Sequence, residues 1–404
     1  MTPGILPGPP PDGDYYWWIG GAMWGTLLDY RYYTDDKSYD DTIMQALVHQ
    51  SGEQHDFMPK NWSASMGNDD QAFWALATLV AAETGFTDPA ADTDLDWLAL
   101  AQAVFNEQTD AGRRTYTGSC SGLLRWQAIQ YNNGWDYINT IANSCYFNIG
   151  ARLARYFQND TLANVVGETY DMLVGVDYID AEGNIYDGGH EEEDCKDINK
   201  AQFSYNAALM IQGLAHLYNM TEADTWKEKI DLLLPRTLEF FFPNGTAVEP
   251  ACEFGGTCTT DMLSFKGFLH RWLQSTAYLA SYTAEQITPI LKSSAQSAVD
   301  QCTGGTNGRM CGFKWSSGSY DGTTGACQQM SVLASLISLL PTPETGILTN
   351  TTGGTSKGDP NAGSDLDSHF EALAEITTAD KAGAGILTVI FLGMGLGAYV
   401  WMSI

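Results

Sequence analysis

The chain has 404 residues, a length that fits one large helical or barrel unit as well as two or three smaller domains. Asp and Glu outnumber Lys and Arg by 49 to 20, and the net charge of −29 excludes binding of polyanionic DNA or RNA. Charged residues make up only 17% and aromatic residues 12%, which excludes a disordered acidic chain and predicts a globular protein with a large core.

The N-terminal extension, residues 1–13, is rich in Pro and Gly. It has neither the basic nor the apolar region of a secretory signal, so we expect the chain to begin at a mature N-terminus. Five Asn-X-Ser/Thr sequons nevertheless predict an exported, glycosylated protein. The sequons lie at Asn61, Asn159, Asn219, Asn244 and Asn350.

The eight cysteines show no CxxC spacing, so a disulfide framework is favoured over a metal or redox site. Sequence proximity favours only two pairs, Cys252 with Cys258 and Cys302 with Cys311. The pairing of the other four remains open, namely Cys120, Cys145, Cys195 and Cys327.

Apolar residues recur at helical spacing in eleven stretches, and strand-like alternation is scarce. The stretches are 19–33, 39–50, 68–84, 94–108, 139–157, 160–175, 201–219, 222–242, 260–281, 284–301 and 324–340. The odd-numbered stretches are apolar or aromatic on all sides, whereas the even-numbered ones have one polar face. This alternation predicts an all-α double ring, in which six parallel inner helices surround one cleft with their N-termini.

Two adjacent carboxylates, Asp69 and Asp70, stand at the start of the third stretch, where a polar loop meets the apolar run QAFWALATLVAA. A helix dipole and unpaired N–H groups favour acids in a first helical turn, and on spacing alone a structural cap is the better interpretation. A glycosidase, however, also needs two carboxyl groups on either side of a sugar. Repulsion between them raises one pKa, while the helix start keeps the other group ionised.

Several strings together resemble glycoside hydrolase family 76, and in particular its fungal GPI-anchored branch, the mannan endo-1,6-alpha-mannosidases of the DCW and DFG type. They include YYWWIGGAMWGTLLDYRYYTDD, MGNDDQAFWALATLVAAE, LRWQAIQ, INTIANSCYFNIGARLARYF, IYDGGH, QFSYNAALMIQGLAHLY, FKGFLHRWL and WSSGSYDGTTGACQQMSVLASL. The similarity covers roughly residues 14–340.

This resemblance implies an (α/α)6 barrel and a retaining mechanism on alpha-1,6-linked mannose, with Asp69 as nucleophile and Asp70 as general acid/base. It also implies transfer of GPI-anchored wall proteins, through their mannose-containing glycan, to wall glucan in cell-wall biogenesis. The alternative is a non-catalytic wall-glycan binding protein on the same scaffold. We expect a monomer without metal or cofactor, and the six His residues, which show no HExxH spacing, indicate no zinc site.

Further candidates for sugar contacts come from the predicted helix starts. Lys266 and Arg271 would meet an anionic or phosphorylated sugar, although a solvated helix face is an equal alternative. Polar and aromatic candidates, for which capping and core packing are the alternatives, are Asn143, Tyr205, Asn206, Trp18, Trp24 and Trp315. We expect the cleft to contain Trp24, Asp69, Asp70, Asn143, Asn206 and Lys266 together. The acidic run HEEED at 190–194 lacks the ligand pattern of a calcium loop and is interpreted as a solvated loop.

The last nineteen residues, 386–404, carry no charge and are long enough to span a membrane as a helix. Small residues precede them in a polar spacer, which predicts a GPI signal more strongly than a tail-anchored helix. Candidate attachment residues are Asn361, Gly363 and Ser364. The predicted organisation is an extension at 1–13, a catalytic barrel at 14–342, a spacer at 343–385 and a signal tail at 386–404, with the protein at the outer face of the plasma membrane or in the cell wall.

Overall fold

The computed structural model describes residues 3–8, 13–63, 65–90, 93, 95–364, 381 and 386–394. Between residues 13 and 337, this described part of the chain forms twelve α-helices. They are α1 (Trp18–Thr34), α2 (Asp40–Gln50), α3 (Lys60–Ser63), α4 (Asn68–Glu83), α5 (Trp97–Thr109), α6 (Thr140–Phe157), α7 (Asp160–Gly175), α8 (Ser204–Thr221), α9 (Asp224–Phe241), α10 (Phe265–Leu279), α11 (Ala284–Val299) and α12 (Ala326–Ile337). Each of the eleven predicted stretches overlaps one of them, with ends that differ by a few residues, and only the single-turn α3 was not predicted.

The helices form a closed double ring. In the inner ring, each helix packs against the next in the order α1, α4, α6, α8, α10, α12, and α12 packs against α1. The helices α2, α5, α7, α9 and α11 connect the inner helices from outside. The fold is therefore an (α/α)6 barrel, and the predicted all-α class is confirmed.

Burial explains which helices are inside. In α4, every side chain from residue 71 to residue 83 is buried, and most of these side chains are small or aliphatic. In the outer helix α9, the buried positions Trp226, Ile230 and Leu233 recur every three or four residues, while the opposite face is wet. Close approach between inner helices needs glycine: a Cβ at Gly21 would lie 2.9 Å from the Trp74 ring. The inner ring is thus dense enough to hold the helix starts in place.

A short two-stranded sheet lies at the end of the barrel where the inner helices begin. Its strands β1 (Tyr137–Asn139) and β2 (Gly188–His190) run antiparallel, with Ile138 opposite Gly189. Asn139 also caps α6, because its side chain accepts a hydrogen bond from Ala142 N–H. The sheet therefore joins the loop before α6 to the loop before α8.

The two cysteine pairs that sequence proximity favours are both present as disulfides, Cys252–Cys258 and Cys302–Cys311. A third disulfide joins Cys120 to Cys195 and bridges the loop before β1 to the loop after β2. The last two cysteines, Cys145 and Cys327, are buried free thiols. The cysteines thus form three bridges rather than a fully paired set of four.

The five sequon asparagines, named above, are all exposed. Two of them already use their side chains within the fold. Asn159 caps α7 by accepting from Leu162 N–H, and Asn219 accepts from Arg155 and donates to the carbonyl oxygen of Leu279. Glycosylation stays a prediction, and the nitrogen of Asn219 would have to leave its present partner to carry a glycan.

The segment after α12 packs on the barrel as far as residue 364. Leu348 N–H donates to the Glu83 carbonyl oxygen, and Gln102 on α5 accepts from the N–H of Asp359. The chain divides after Ser364 into two compact units, residues 1–364 and 365–404. The first part of the predicted spacer therefore belongs to the packed barrel unit.

The predicted anchor lies largely outside the described residues. Asn361 and Ser364 are exposed, whereas Gly363 is half-buried and faces the backbone of Ala103. Residues 386–394 are helical, and the rest of the predicted tail, 395–404, falls outside the described part. No helix within the described ranges has both the length and the apolar character needed to cross a bilayer.

Inside the barrel, α6 is tied to α4 by a buried ion pair. Arg152 contacts Glu83 at 2.6 Å, and the two side chains are only 3% and 4% exposed. Because both charges are removed from water, losing one partner leaves the other unpaired in a low dielectric. The pair therefore makes the packing of these two helices dependent on both residues.

We expect Arg152→Ala to lower the free energy of unfolding by about 3–5 kcal/mol, because it leaves the Glu83 carboxylate buried without its cation. The control is Lys227→Ala, which removes an exposed i,i+4 pair with Asp231 and is expected to change the free energy of unfolding far less. Denaturant unfolding followed by circular dichroism measures both. Equal losses in the two variants would show that the buried pair does not link the helices.

Candidate active site

An open cleft of about 560 Å³ lies where the inner helices begin. The helix starts contribute Trp18 from α1, Asp69 and Asp70 from α4, Tyr205 from α8 and Phe265 from α10. The remaining lining residues come from the next turn of α4 and from the loops before α6, α8 and α10: Phe73, Trp126, Asn133, Gly134, Asp136, Tyr137, Asn139, Asp187, His190, Asp197, Asn199 and Asp261. The cleft therefore lies at the predicted end of the ring, although only four of the six inner helices, α1, α4, α8 and α10, contribute lining residues.

The acidic pair is held by separate donors at the start of α4. The N–H of Gly67 donates to Oδ2 of Asp70 at 2.6 Å. Asp69 accepts from the N–H of Asp70 at 3.0 Å through Oδ1 and from the indole Nε1 of Trp126 at 3.0 Å through Oδ2. The pair thus satisfies helix-start donors, as the capping interpretation requires, and also faces the cleft.

Buried side chains on either side of the acidic pair hold the backbone of the first turn of α4 in place. Asn68 donates to the carbonyl oxygen of Arg125 at 2.9 Å and accepts from Arg113 at 2.6 Å. Gln71 donates to Glu107 at 2.8 Å, and Glu107 is ion-paired with Arg113 at 3.0 Å. All these groups are buried, so the first turn of α4 has little freedom to move.

Close packing also restricts the residue before α4. A Cβ at Gly67 would clash with Oδ1 of Asp69 and lie 3.0 Å from Oδ2 of Asp70. The glycine is therefore required by the approach of the two carboxylates to the backbone, since its φ of −81° is accessible to any residue.

The electrostatic environment separates the two aspartates. Burial raises the pKa of Asp69 to about 7, although the hydrogen bonds from Asp70 N–H and Trp126 oppose this rise. Burial and the charge of Asp69 raise the pKa of Asp70 well above its usual value. Asp69 is thus the first of the two to ionise as the pH rises.

The cleft is strongly acidic and aromatic. Its lining contains six aspartates, Asp69, Asp70, Asp136, Asp187, Asp197 and Asp261, and one histidine, with no Lys or Arg among the residues that line it. Tyr205 and Phe265 stack with ring centroids 3.9 Å apart. Within the described residues, no group of three or more His, Cys, Asp or Glu has the arrangement of a metal site.

Two predicted sugar contacts, Trp18 and Tyr205, line the cleft, while the amides predicted beside them do not. Asn143 is fully buried and exchanges hydrogen bonds with the backbone of Leu124. Asn206 is fully buried as well. A helix rotates about 100° per residue, so Asn206 points away from the cleft that its neighbour Tyr205 faces.

The predicted basic contacts are corrected in the same way. Lys266 is fully buried, paired with Glu253 at 3.0 Å, and lies 3.8 Å from the centre of the Phe313 ring. Arg271 is paired with Asp29 and lines a separate interior cavity of the barrel instead of the cleft. Neither cation reaches a sugar in the cleft.

The remaining tryptophan candidates are core residues. Trp24 lies inside α1 and donates to the carbonyl oxygen of Gly4 at 2.8 Å. Trp315 is 1% exposed and packs against His270. Both rings fill the space between elements, so they are not available to stack on a pyranose.

The acidic run at 190–194, interpreted as a solvated loop, is largely exposed, and its first residue also lines the cleft. His190 lines the cleft, and its Nδ1 lies 2.6 Å from Oδ2 of Asp197. Glu191 is ion-paired with Arg125 at 2.6 Å, and this contact lowers the pKa of Glu191 to about 2. The strings LRWQAIQ and IYDGGH, which carry part of the family resemblance, are the sequence signals for these loops.

The profile of glycosyl hydrolase family 76 matches residues 1–351. Mannan endo-1,6-alpha-mannosidase DCW1 of Saccharomyces cerevisiae is 40% identical over 379 residues, which cover 93% of this chain and 83% of the yeast protein. Mannan endo-1,6-alpha-mannosidase DFG5 of the same yeast is 37% identical over 393 residues, covering 96% of this chain and 86% of that protein.

Solved structures show the same fold. Dfg5 from Chaetomium thermophilum in complex with glucosamine matches with a TM-score of 0.87 at 49% identity, over 91% of this chain and 92% of that one. An alpha-1,6-mannanase variant from a Salegentibacter species in complex with alpha-1,6-mannotriose matches with a TM-score of 0.63 at 15% identity, over 81% and 90% of the two chains, and supports the fold alone. Since the family profile and its fungal relatives span most of the sequence, the chain belongs to glycosyl hydrolase family 76.

Proposed function

We propose that the protein is a retaining alpha-mannosidase that acts on alpha-1,6-linked mannose, with Asp69 as the nucleophile and Asp70 as the general acid/base. The observation that carries this proposal is the pair itself: two adjacent carboxylates in one cleft, each with its own hydrogen-bond donor, where burial and the charge of Asp69 raise the pKa of Asp70. This arrangement provides one ionised and one protonated carboxyl group at the same pH.

In the first step, the Asp69 carboxylate attacks the anomeric carbon while Asp70 donates its proton to the leaving glycosidic oxygen. The bond to the leaving sugar breaks, and a beta-linked mannosyl ester forms on Asp69. In the second step, Asp70 removes a proton from water or from a sugar hydroxyl, which attacks the ester and restores the alpha configuration. Trp126 and the N–H of Asp70 hold Asp69 for this attack.

The relatives support the substrate. Several curated relatives are mannan endo-1,6-alpha-mannosidases, and we carry the linkage to this chain on that basis. The non-catalytic binding alternative remains an outcome of the first test below.

A finer proposal concerns the acceptor. We propose that the enzyme processes the mannose-containing glycan of GPI-anchored wall proteins and transfers it to wall glucan. The open cleft supports a glycan ligand larger than one sugar, and the structure of the related Dfg5 contains glucosamine. Incubation with a beta-glucan oligosaccharide separates the outcomes, since transfer yields a product with the mass of donor plus acceptor, and hydrolysis yields only shortened donor.

We expect Asp69→Ala and Asp70→Ala each to lower turnover of an unactivated mannoside by about 10²–10⁴-fold or more, because each removes a group that acts in the transition state. With an activated aryl mannoside and azide, Asp70→Ala should give alpha-mannosyl azide, because azide inverts the beta-linked intermediate. Asp69→Ala should give beta-mannosyl azide, because azide attacks the alpha-linked substrate directly. The product anomer is read by NMR.

The control is Asp41→Ala, which removes a carboxylate from the second position of α2, as Asp69→Ala does in α4, but away from the cleft. It should retain full activity. Exchanged anomers would exchange the two roles. Full activity in either acidic-pair variant would reduce the pair to a helix cap and leave the binding-protein alternative.

The pH profile of kcat/KM should be bell-shaped. Asp69 must be ionised, and its pKa is raised to about 7, so activity should fall about tenfold per pH unit as the pH drops below about 7. At high pH, activity should fall when Asp70, whose pKa lies well above its usual value, loses its proton. With an aryl mannoside, Asp70→Ala should lose the basic limb and keep the acidic one. An acidic limb near pH 4 would contradict the effect of burial on Asp69.

We propose that a GPI lipid holds the protein at the outer face of the plasma membrane or in the cell wall. The apolar run at 386–404, preceded by small residues around 361–364, supports this anchor. Phosphatidylinositol-specific phospholipase should release the protein from membranes, with the apolar peptide missing from the released chain in mass spectra. Detection of that peptide in the membrane-bound protein would refute lipid attachment.

A further inference from the structure

The acidic run at 190–194 combines exposed and half-buried side chains. Glu192 and Glu193 are exposed, whereas Glu191 and Asp194 are half-buried. Acids on a loop are usually solvated, and solvation accounts for the two exposed ones. It does not account for the two acids that pack against the protein.

Glu191 contacts the loop that precedes β1. Its carboxylate accepts two hydrogen bonds from the Arg125 guanidinium, from Nη1 at 2.6 Å and from Nη2 at 2.9 Å. Oε1 also accepts from the hydroxyl groups of Thr115 and Thr117. Two parallel hydrogen bonds to a guanidinium fix the orientation of both partners. Glu191 therefore holds the loop before β1 in a defined position.

Two further contacts join the same segments. The carboxylate of Asp194 accepts from the N–H and from the hydroxyl group of Ser119. The disulfide between Cys120 and Cys195 adds a covalent link. The loop before β1 and the loop after β2 are thus joined at three points.

Arg125 also belongs to the support of the acidic pair. Its carbonyl oxygen accepts a hydrogen bond from the side chain of Asn68 at 2.9 Å. The next residue, Trp126, accepts from the N–H of Asn68 at 2.7 Å through its carbonyl oxygen. The indole Nε1 of Trp126 donates to Oδ2 of Asp69 at 3.0 Å. The position of Arg125 therefore determines where the indole donor meets the carboxylate of Asp69.

The contact between Glu191 and Arg125 lies outside the cleft. The described residues that line the cleft include Trp126 but neither Glu191 nor Arg125. The side chains of Arg125 and Glu191 are 10% and 19% exposed, so solvent screens their attraction only weakly. An effect of Glu191 on the reaction must therefore pass through Arg125 and Trp126.

We propose that Glu191 is a positioning residue, which holds Trp126 against Asp69 through its contact with Arg125. The assignment rests on the proposed function and adds to it a residue that does not touch the substrate. Without the Glu191 carboxylate, the loop that carries Trp126 shifts, while the disulfide still joins the two loops. Because a displacement of about 1 Å near a reacting group lowers the rate strongly, turnover is more sensitive to this loss than binding.

The test compares two acids of the same run. We expect Glu191→Ala to lower kcat for an alpha-1,6-linked oligomannoside about tenfold to hundredfold, with KM nearly unchanged. The acidic limb of the pH profile should move upward, because the hydrogen bond from Trp126 lowers the pKa of Asp69 and is weakened in this variant. The matched control is Glu193→Ala, which removes an exposed acid two residues away and should change neither kcat nor the pH profile.

A double-mutant cycle tests the route through Trp126. Trp126→Phe keeps an aromatic ring and removes the N–H that binds Asp69, so kcat should fall in this variant as well. In the Trp126→Phe background, Glu191→Ala should lower kcat much less than it does alone, since the contact that it disturbs is already absent. Additive losses would show that Glu191 does not act through Trp126 and would overturn the assignment.

A milder variant of the same position separates positioning from folding. Glu191→Gln keeps the shape of the side chain and removes only its charge, so it should show the same two changes to a smaller extent. Circular dichroism verifies the folded state of each variant. A lower kcat with an unchanged acidic limb would reduce Glu191 to a structural role and overturn the assignment.

The outcomes distinguish the assignment from the proposed function. Equal kcat values and pH profiles for folded Glu191 and Glu193 variants would overturn the assignment and leave the proposed function intact. Failure of the unmodified protein to cleave or transfer alpha-1,6-linked mannose would instead overturn the proposed function, and the assignment with it.

Discussion

The first turn of α4 is the constraint on which the site depends. A helix start leaves backbone N–H groups without partners inside the helix. Here the N–H groups of Gly67 and Asp70 are satisfied by the carboxylates of Asp70 and Asp69. The capping and catalytic interpretations of the acidic pair therefore describe the same atoms, and the geometry of the pair is determined by the geometry of the helix start.

A buried ion pair supports the first turn of α4. Arg113 and Glu107 are 3% and 0% exposed and hold Asn68 and Gln71, which flank the acidic pair. Replacing a buried ion pair with apolar side chains often costs no stability, so stability alone does not explain its presence. The ion pair orients the two amides beside Asp69 and Asp70. This orientation explains its presence, because a shift of about 1 Å at a reacting group lowers catalysis strongly.

The helix positions and the location of the cleft could be predicted from the apolar periodicity. The repeated pattern indicates where each helix lies, and parallel inner helices all begin at the same end of the ring. Which residue of each helix start faces the cleft could not be predicted from this pattern. Tyr205 and Asn206 differ by about 100° around α8, and only packing against neighbouring helices sets that rotation. The buried position of Lys266 depends on its ion pair with Glu253, and Asp261 lies in an irregular turn. Neither position could therefore be predicted from a local sequence pattern. The acidic pair could be identified from the sequence because its chemistry is contained in two consecutive residues.

The Cys120–Cys195 disulfide joins two loops that sequence places 75 residues apart. One loop carries Trp126, which holds Asp69, and the other carries His190. Closing a loop of this length removes chain entropy of about 4 kcal/mol from the unfolded state. The wall of the cleft therefore acquires its covalent brace only where thiols are oxidised.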